Sequence, residues 1–456
     1  MHLRAVCPKP ARRAWKTADR VSVETLAPPG LERRRSYKCR MPTFHAGKLA
    51  ILLEEKKCGE KKRYGTQADF EKDVLGPMQF GDFEFSMTEF AGSMGDFGTL
   101  FPLAIGYIVV CGVNPAGLLI MMGLTNIVLG LVYKLPMPVE PKKVVAATAI
   151  AQKWQASTVY ACGFGLGLTW IFLAATGMID KVVKYIPKSV TRGIQLGLGM
   201  LLSIEGFKLA RPELLVAALA VVMVFTLKDN RRMPAAVALM LFGLVIIAYK
   251  GQLLNNLGLS LSLPPVTIPR FKEVADSMLS AGIPQIPLSM TNAVIATAAL
   301  IRTYFPDNPV SERRLVLNMG FMNLVSSFFG GMPMCHGAGG LAGQYYFGAR
   351  TGGANIIEGS IEIFMGLLLG KSIHNLLAAF PVGVIGAMLF LVGLELAKFA
   401  RKEEGFGLVV VFLTALISVA VNIAAGFAAG IILFYAFSRL LKQKPFGSDQ
   451  WSGNGR

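Results

Sequence analysis

Long apolar runs separated by short polar connections dominate the chain from residue 86 onward. Twelve of these runs have the length, or nearly the length, of a membrane-crossing helix, which needs about 20 residues. The predicted spans are 86–111, 116–134, 155–178, 188–208, 213–228, 235–250, 284–304, 312–330, 355–377, 379–398, 405–421 and 422–440. This pattern predicts an all-α polytopic membrane protein.

Two further apolar segments, 135–152 and 331–346, are too short and too interrupted to cross a bilayer alone. Proline removes a backbone donor and disfavours helix at the residue before it. Pro136, Pro138 and Pro141 therefore predict an extended start to the first segment, with a helix beginning near Pro141. The second segment is rich in glycine. Counted as broken spans, the third and the tenth, these two raise the predicted total to fourteen.

The two interrupted segments belong to an internal repeat. At a constant offset of 197 residues (333 − 136), six residue pairs are identical: Met122/Met319, Gly123/Gly320, Asn126/Asn323, Val128/Val325, Pro136/Pro333 and Met137/Met334. Seven spans are an odd number, so two consecutive sets of seven must have opposite orientations in the membrane. We predict inverted repeats over 86–250 and 284–440, joined by an extracytoplasmic linker at 251–283.

Charge is sparse and unevenly placed. Only 16% of residues are charged, whereas soluble proteins carry about 25%. Residues 1–80 hold 18 Lys and Arg against 9 Asp and Glu, and this excess of positive charge is half of the chain's net charge of +18. We interpret 1–80 as a disordered basic extension beside anionic lipid, because aromatic residues are not interleaved as in a nucleic-acid-binding arm. The basic loops follow the positive-inside rule if both termini are cytoplasmic, in a plasma or inner membrane.

The interrupted segments predict an anion site. Two half-helix N-termini that face each other near the bilayer midplane present free N–H groups and positive dipole ends. The stretch 337–342 also fits a loose GxGxxA dinucleotide fingerprint, but the surrounding βαβ unit is missing. His336 is open to two interpretations, a structural histidine or a functional one that donates to the anion or carries a proton.

No catalytic machinery is apparent in the sequence. The six cysteines form no CxxC pair, and with four histidines they show no metal-ligand spacing. No nucleophile–base set is evident either. We therefore expect no enzyme activity, no cofactor and no metal.

Leu135–Lys143 and Met332–Arg350 resemble the two signature motifs of the molybdate-transporter family within the sulfate-permease superfamily. Three further segments are similar to that family: 90–99, 186–197 and 283–292. The resemblance covers about 86–440. It implies a seven-plus-seven inverted-repeat fold in which a core domain, spans 1–4 and 8–11, moves against a gate domain, spans 5–7 and 12–14. It also implies molybdate or a similar tetrahedral oxyanion as the substrate.

The same resemblance implies where the substrate binds. The expected contacts are Glu140, Pro141, Lys142 and Lys143 in the first break; Cys335, His336, Gly337, Ala338, Gly339 and Gly340 in the second; and Asp96, Thr99, Gln285, Thr291 and Asn292 in the flanking spans.

Glu140 departs from the family pattern, which commonly reads Gln-Pro-Met-Lys where this chain has Glu-Pro-Lys-Lys at 140–143. A carboxylate beside a dianion opposes its binding unless the carboxylate is protonated or paired with Lys142 or Lys143. Two interpretations stay open. Glu140 couples a proton to anion entry, or a Glu–Lys pair only shapes the break.

The resulting hypothesis is a secondary transporter that moves molybdate by alternating access, with a proton as a candidate coupling ion. Sulfate transport, or an oxyanion channel or sensor of the same fold, is the alternative. A nucleobase permease is disfavoured, because those permeases carry carboxylates where this chain has Gln285 and His336. Sulfate permeases usually add a regulatory domain after the last span, whereas here we expect only a short cytoplasmic tail at 441–456. A homodimer is left open.

Overall fold

The computed structural model describes residues 78–178, 187–227, 235–256, 258–398, 403 and 405–440. The basic extension predicted over 1–80 lies outside the described residues as far as 77, and the tail predicted at 441–456 lies wholly outside them.

The described chain is mostly helical. The helices of the first half are α1 Met87–Ser93, α2 Phe97–Cys111, α3 Pro115–Tyr133, α4 Lys143–Ala151, α5 Ala156–Thr176, α6 Lys188–Ala210, α7 Leu214–Leu227, α8 Ala235–Tyr249 and α9 Leu253–Asn256. Those of the second half are α10 Phe271–Tyr304, α11 Glu312–Phe328, α12 Ala338–Phe347, α13 Gly353–Ala378, α14 Val382–Ala397, α15 Phe406–Ala420 and α16 Ile423–Leu440.

Four short strands correct the all-α prediction. Strands β1 Met78–Phe80 and β2 Phe83–Phe85 form one antiparallel pair. Strands β3 Glu140–Pro141 and β4 Met334–Cys335 form another. The second pair lies at the two interrupted segments, where proline prevents helix and leaves extended backbone free to pair.

Two predicted boundaries are wrong. The predicted linker 251–283 is helical from Phe271, so α10 begins thirteen residues before the predicted span at 284 (284 − 271 = 13). The predicted span begins at Pro284, but π-helical turns at Met278–Gly282 and Ser289–Ala296 keep the helix continuous around this proline. The predicted spans 188–208 and 213–228 are also joined, through a 3₁₀ turn, into one helical stretch of 40 residues, Lys188–Leu227.

Within the described ranges, five helices are long and apolar enough to cross a membrane. Two bent helix pairs raise the number to seven if each pair is one span: α1 with α2, bent by 49°, and α13 with α14, bent by 94°. The surface carries large exposed apolar side chains, such as Leu215, Val245 and Ile432. Lipid, rather than water, is the solvent in which such a surface is stable.

The helices pack in two groups. In the first, α3 packs along α13 and α5 along α11. In the second, α6 packs along α14 and α15, and α15 along α16. Glycine permits the close approach in both groups, since a Cβ at Gly123 would lie 2.5 Å from the carbonyl oxygen of Gly359. Helices α13 and α11 of the first group contact the two interrupted segments, and α6 of the second group packs against the first half-helix, α4.

Candidate functional site

The two interrupted segments meet as a single antiparallel ladder. Glu140 pairs with Cys335 and Pro141 with Met334. The amide of Lys142 donates to the carbonyl oxygen of Pro333 at 2.9 Å, which extends the ladder by one bond. Half-helices α4 and α12 follow directly after β3 and β4, so both N-termini begin at this ladder. The sequence prediction of paired breaks agrees with this arrangement.

An asparagine clamps the backbone of each break. Asn355 on α13 accepts from the Met137 amide at 2.8 Å and donates to its carbonyl oxygen at 2.7 Å. Asn323 on α11 does the same for Met334, with distances of 2.8 and 2.7 Å. The two methionines are one of the repeat pairs. Because buried backbone groups that cannot form ladder bonds need partners, these amides hold the breaks extended.

Replacing Asn355 by alanine should destabilise the protein. It would leave the amide and carbonyl of Met137 buried without partners, at about 1–3 kcal/mol for each group. The measurement is the apparent Tm of the purified protein in detergent. Asn375→Ala, an exposed position on the same helix, is the control and should change the Tm little. Equal Tm values for the two variants would contradict the clamp.

The first half-helix is already capped at its N-terminus. The side-chain oxygen of Gln285 accepts from the amides of Val144 at 2.8 Å and Val145 at 3.4 Å, while its Nε2 donates to Ser289 at 2.8 Å. Gln285 was predicted to flank the breaks, and it contacts the first one directly. A neutral amide therefore occupies the positive end of α4.

On the second half-helix, no side chain from the described part of the chain forms such a cap. Its N-cap residue, Gly337, is extended and has no side chain to accept from the first amides of α12. The carboxylate of Glu140 lies there instead. A Cβ on Gly337 would be 2.6 Å from the carboxyl carbon of Glu140 and 2.8 Å from its Oε1. Glu140 is 1% exposed, and its Oε2 forms an ion pair with Lys143 Nζ at 3.0 Å.

Asp96 reaches the same helix end from the first span. A Cβ on Gly340 would lie 3.1 Å from the Cβ of Asp96 and 2.8 Å from that of Pro138. Both carboxyl oxygens of Asp96 are buried and have no hydrogen-bond partner among the described residues. Gly339, by contrast, is exposed and has open space where a Cβ would be. The start of α12 is thus closed on the Gly340 side and open at Gly339.

The two lysines of the first break point in different directions. Lys143 pairs with Glu140, as one of the sequence interpretations required. Lys142 is fully buried, and its ammonium lies 5.1 Å from the centre of the Trp170 ring and 4.0 Å from the sulfur of Met319. Lys142 is therefore held between α5 and α11, and it does not pair with Glu140.

The His336 ring contacts the backbone beside the ladder. Its Nδ1 lies 3.2 Å from the carbonyl oxygen of Pro138, and the ring meets Tyr133 edge-on at 6.4 Å between centroids. The Nε2 atom is buried and has no partner in the described part of the chain. Both interpretations of His336 thus keep a basis in the geometry, since one nitrogen is structural and the other is unused.

The other predicted site residues differ in their contacts. Ala338 is the first residue of α12, and Cys335 is a buried free thiol in β4. The hydroxyl of Thr99 donates to the Asp96 carbonyl oxygen at 3.3 Å. Thr291 donates only along its own helix, and Asn292 forms no side-chain hydrogen bond within the described residues. Among the described residues, neither side chain forms a hydrogen bond to a break, although their π-helical turn packs near the second half-helix.

Sequence reasoning missed several buried polar residues near the breaks. Glu362 accepts from Asn126 at 2.9 Å, and Asn126 in turn accepts from Asn355 at 2.8 Å. Both carboxyl oxygens of Glu358 and both amide atoms of Gln344 are buried without hydrogen-bond partners in the described ranges. The signal was available, because ionisable residues four apart inside a predicted span are functional candidates.

The described residues contain no group of three or more His, Cys, Asp or Glu side chains that could hold a metal ion. The arrangement combines a helix N-terminus, a buried ion pair and an unpaired carboxyl group. It can bind an anion and hold a proton beside it.

Comparisons with known proteins identify the family. The family model described as molybdate transporter of the MFS superfamily matches residues 88–202 and 277–396. Molybdate transporter 1 of Arabidopsis thaliana is 32% identical over 404 residues, which cover 77% of this chain and 88% of the relative. Molybdate transporter 1 of Chlamydomonas reinhardtii is 30% identical, with 76% of this chain and 91% of the relative covered.

The fold is also that of a solved transporter. The transmembrane domain of the cyanobacterial bicarbonate transporter BicA matches with a TM-score of 0.58 at 18% identity, covering 77% of this chain and 99% of that domain. At this identity the likeness concerns the fold alone. The matched family segments include both breaks. This chain therefore belongs to the molybdate-transporter family and is an integral membrane protein.

Proposed function

We propose that the protein is a secondary transporter that moves molybdate across its membrane by alternating access, with the anion bound at the start of α12. One observation supports this most strongly. No side chain of the described residues forms a capping hydrogen bond at the N-terminus of α12, which faces open space at Gly339, whereas the N-terminus of α4 is capped by Gln285. An uncapped helix start at a broken span is where a transporter binds an anion.

The helix packing supports the proposed inverted repeat of fourteen spans. Under this repeat, α3 corresponds to α11 and α13 corresponds to α5. The packing of α3 along α13 then has its counterpart in the packing of α11 along α5. Likewise, α6 corresponds to α14 and β3 corresponds to β4, so each of these packed pairs joins two corresponding elements. Ion pairs Glu205–Lys208 and Glu395–Lys398 also lie at corresponding ends of α6 and α14. The two packing groups would be the moving core and the gate, with both termini cytoplasmic in a plasma or inner membrane.

Uptake of radiolabelled molybdate into proteoliposomes tests the function. We expect saturable uptake that unlabelled molybdate inhibits and that is absent from empty liposomes. An oxyanion channel would instead give uptake that does not saturate in the same range. If no labelled molybdate accumulates, the proposal is wrong.

Glu140 is the proposed proton-coupling group. Protonation would remove a negative charge beside the anion, so uptake by the native protein should rise as the pH falls. Glu140→Gln should take up molybdate with little dependence on pH, because the amide cannot ionise. The test is to measure initial uptake rates between about pH 5 and pH 8, the range in which protein stability tends to be greatest. An unchanged pH profile in Glu140→Gln would leave Glu140 as a structural ion pair only.

A further inference from the structure

A cavity of about 520 Å³ lies near the C-terminal end of α13, whereas the first break is clamped near the N-terminal end of that helix. Asn355 forms the clamp and Lys371 lines the cavity, 16 residues further along (371 − 355 = 16). At 1.5 Å per residue, these two points on α13 are about 24 Å apart. The cavity is therefore separate from the site at the start of α12.

Three segments of the chain form the wall of this cavity. They are 112–116, which joins α2 to α3; 261–263, in the linker before α10; and four residues of α13 between 370 and 375. The linker is bonded to α13, because the amides of Ser260 and Ser262 donate to the carbonyl oxygens of Leu368 and Leu367 at 3.0 and 2.7 Å. The cavity is thus a part of the fold rather than a gap beside a loose loop.

The wall offers a positive charge and several hydrogen-bond donors. Lys371 and His374 lie one turn apart on α13, both are exposed, and neither has a hydrogen-bond or ion-pair partner among the described residues. Lysine has three N–H donors, and a histidine ring has at least one in either protonation state. The side-chain oxygen of Asn114 caps α3 by accepting from Gly117 at 3.0 Å, so its amide nitrogen is left as a donor. No Asp or Glu of the described chain lines the cavity.

Such a wall favours an anion. A lysine binds oxyanions as a point charge, and a cleft lined by one sign of charge raises the local concentration of ligands of the opposite sign. The volume is within the range of small-molecule sites, and it is large enough for an oxyanion that keeps part of its hydration shell. At the breaks, by contrast, Lys143 is already paired with Glu140. The cavity therefore holds an unpaired positive charge that an arriving dianion can reach.

Resting on the proposed function, we propose that this cavity is a second oxyanion site, which binds molybdate on the extracytoplasmic side before the anion reaches the breaks. Residues 261–263 belong to the linker predicted to be extracytoplasmic, so the cavity opens on that side in the proposed orientation. Its role is capture. A positive cavity at the entrance increases the rate at which a dianion arrives, which lowers KM for uptake without changing the maximal rate.

Substitutions of Lys371 test this proposal. Lys371→Gln removes the charge and Lys371→Arg keeps it. Lys272→Gln is the matched control, because Lys272 is also an exposed lysine on the proposed extracytoplasmic side but does not line the cavity. The first measurement is binding of labelled molybdate to the purified protein in detergent at low ionic strength. We expect Lys371→Gln to bind one molybdate fewer per molecule at saturation than the native protein, Lys371→Arg or Lys272→Gln.

The second measurement is the concentration dependence of initial molybdate uptake into right-side-out proteoliposomes. KM should rise at least about fivefold in Lys371→Gln, with the maximal rate unchanged, because only capture is impaired. In Lys371→Arg and Lys272→Gln, KM should equal that of the native protein.

The outcomes separate this proposal from the transport function. Native protein that takes up molybdate, with the same binding and the same KM in Lys371→Gln, overturns the cavity site but not the function. An equal rise of KM in Lys371→Gln and Lys272→Gln shows an effect of surface charge alone and also overturns the cavity site. Native protein that moves no molybdate overturns the transport function, and the binding measurement then decides on the cavity.

A lipid phosphate is the other source of a tetrahedral oxyanion at this surface. If a lipid occupies the cavity, Lys371→Gln will bind as much labelled molybdate as the native protein does, but less of a labelled short-chain phosphatidylglycerol. That result would overturn the proposal.

Discussion

Lys143→Met is expected to be the most damaging single substitution at the breaks. Lys143 is the ion-pair partner of Glu140, which is 1% exposed, and its own side chain is only 14% exposed. Removing one member of a buried ion pair leaves the other charge uncompensated, at a cost of about 3–5 kcal/mol. We expect a clear fall in the apparent Tm in detergent and loss of molybdate uptake.

A double substitution separates the ion pair from other effects of Lys143. Lys143→Met with Glu140→Gln leaves neither position of this pair with an unpaired buried charge, so most of the lost stability should return. Lys208→Met is the control, because Lys208 also pairs with a glutamate three residues earlier but is 64% exposed. Exposed pairs contribute about 0–1 kcal/mol, so its Tm should hardly change. A double variant no more stable than Lys143→Met would show that the pair is not what Lys143 contributes.

Gly340→Ala should abolish most transport through one added methyl group. That Cβ would lie against Oε1 of Glu140, 2.8 Å from the Cβ of Pro138 and 3.1 Å from the Cβ of Asp96. Either the carboxylate or the first break must move, and overpacking of this kind costs about 1–3 kcal/mol. We expect at least a tenfold loss of initial molybdate uptake per molecule of inserted protein.

Two other glycines serve as comparisons for that substitution. Gly339→Ala adds the same methyl one residue earlier, where nothing lies within 4 Å, so its Tm should not fall. Gly258→Ala, also in open space but in the segment before α10, should leave uptake unchanged. Gly340→Ala with native uptake would mean that Glu140 does not need its observed position for transport.

The positions of the two breaks were predictable because they depend on local chemistry. Proline and glycine at 135–141 and 331–340 interrupt otherwise continuous apolar runs, and the shared register at offset 197 showed that the interruptions correspond. The structure joins them through the antiparallel pair of β3 and β4, which proline-enforced extended backbone makes available. The strands themselves were not predicted, because two-residue strands carry no periodic pattern.

Boundaries were less predictable where proline does not end a helix. The predicted span started at Pro284, yet α10 runs from Phe271 because π-helical turns accommodate the backbone donor that this proline lacks. The asparagine clamps were also missed. Asn355 and Met137 are 218 residues apart, and neither residue type marks such a contact in a sequence.

The sequence by itself indicated that the protein lies in lipid and is mostly helical, where its two breaks are, and which family it resembles. It could do so because hydropathy, proline and glycine act over a few neighbouring residues. Only the tertiary structure decided how the charges are distributed. Lys142 and Lys143 are adjacent in the chain, yet one lies against Trp170 and the other pairs with Glu140. Which lysine meets the carboxylate depends on the direction of each side chain from the first turn of α4, and on what α5 and α12 present to it. Those neighbours are distant in sequence, so packing alone places the carboxylate at the start of α12.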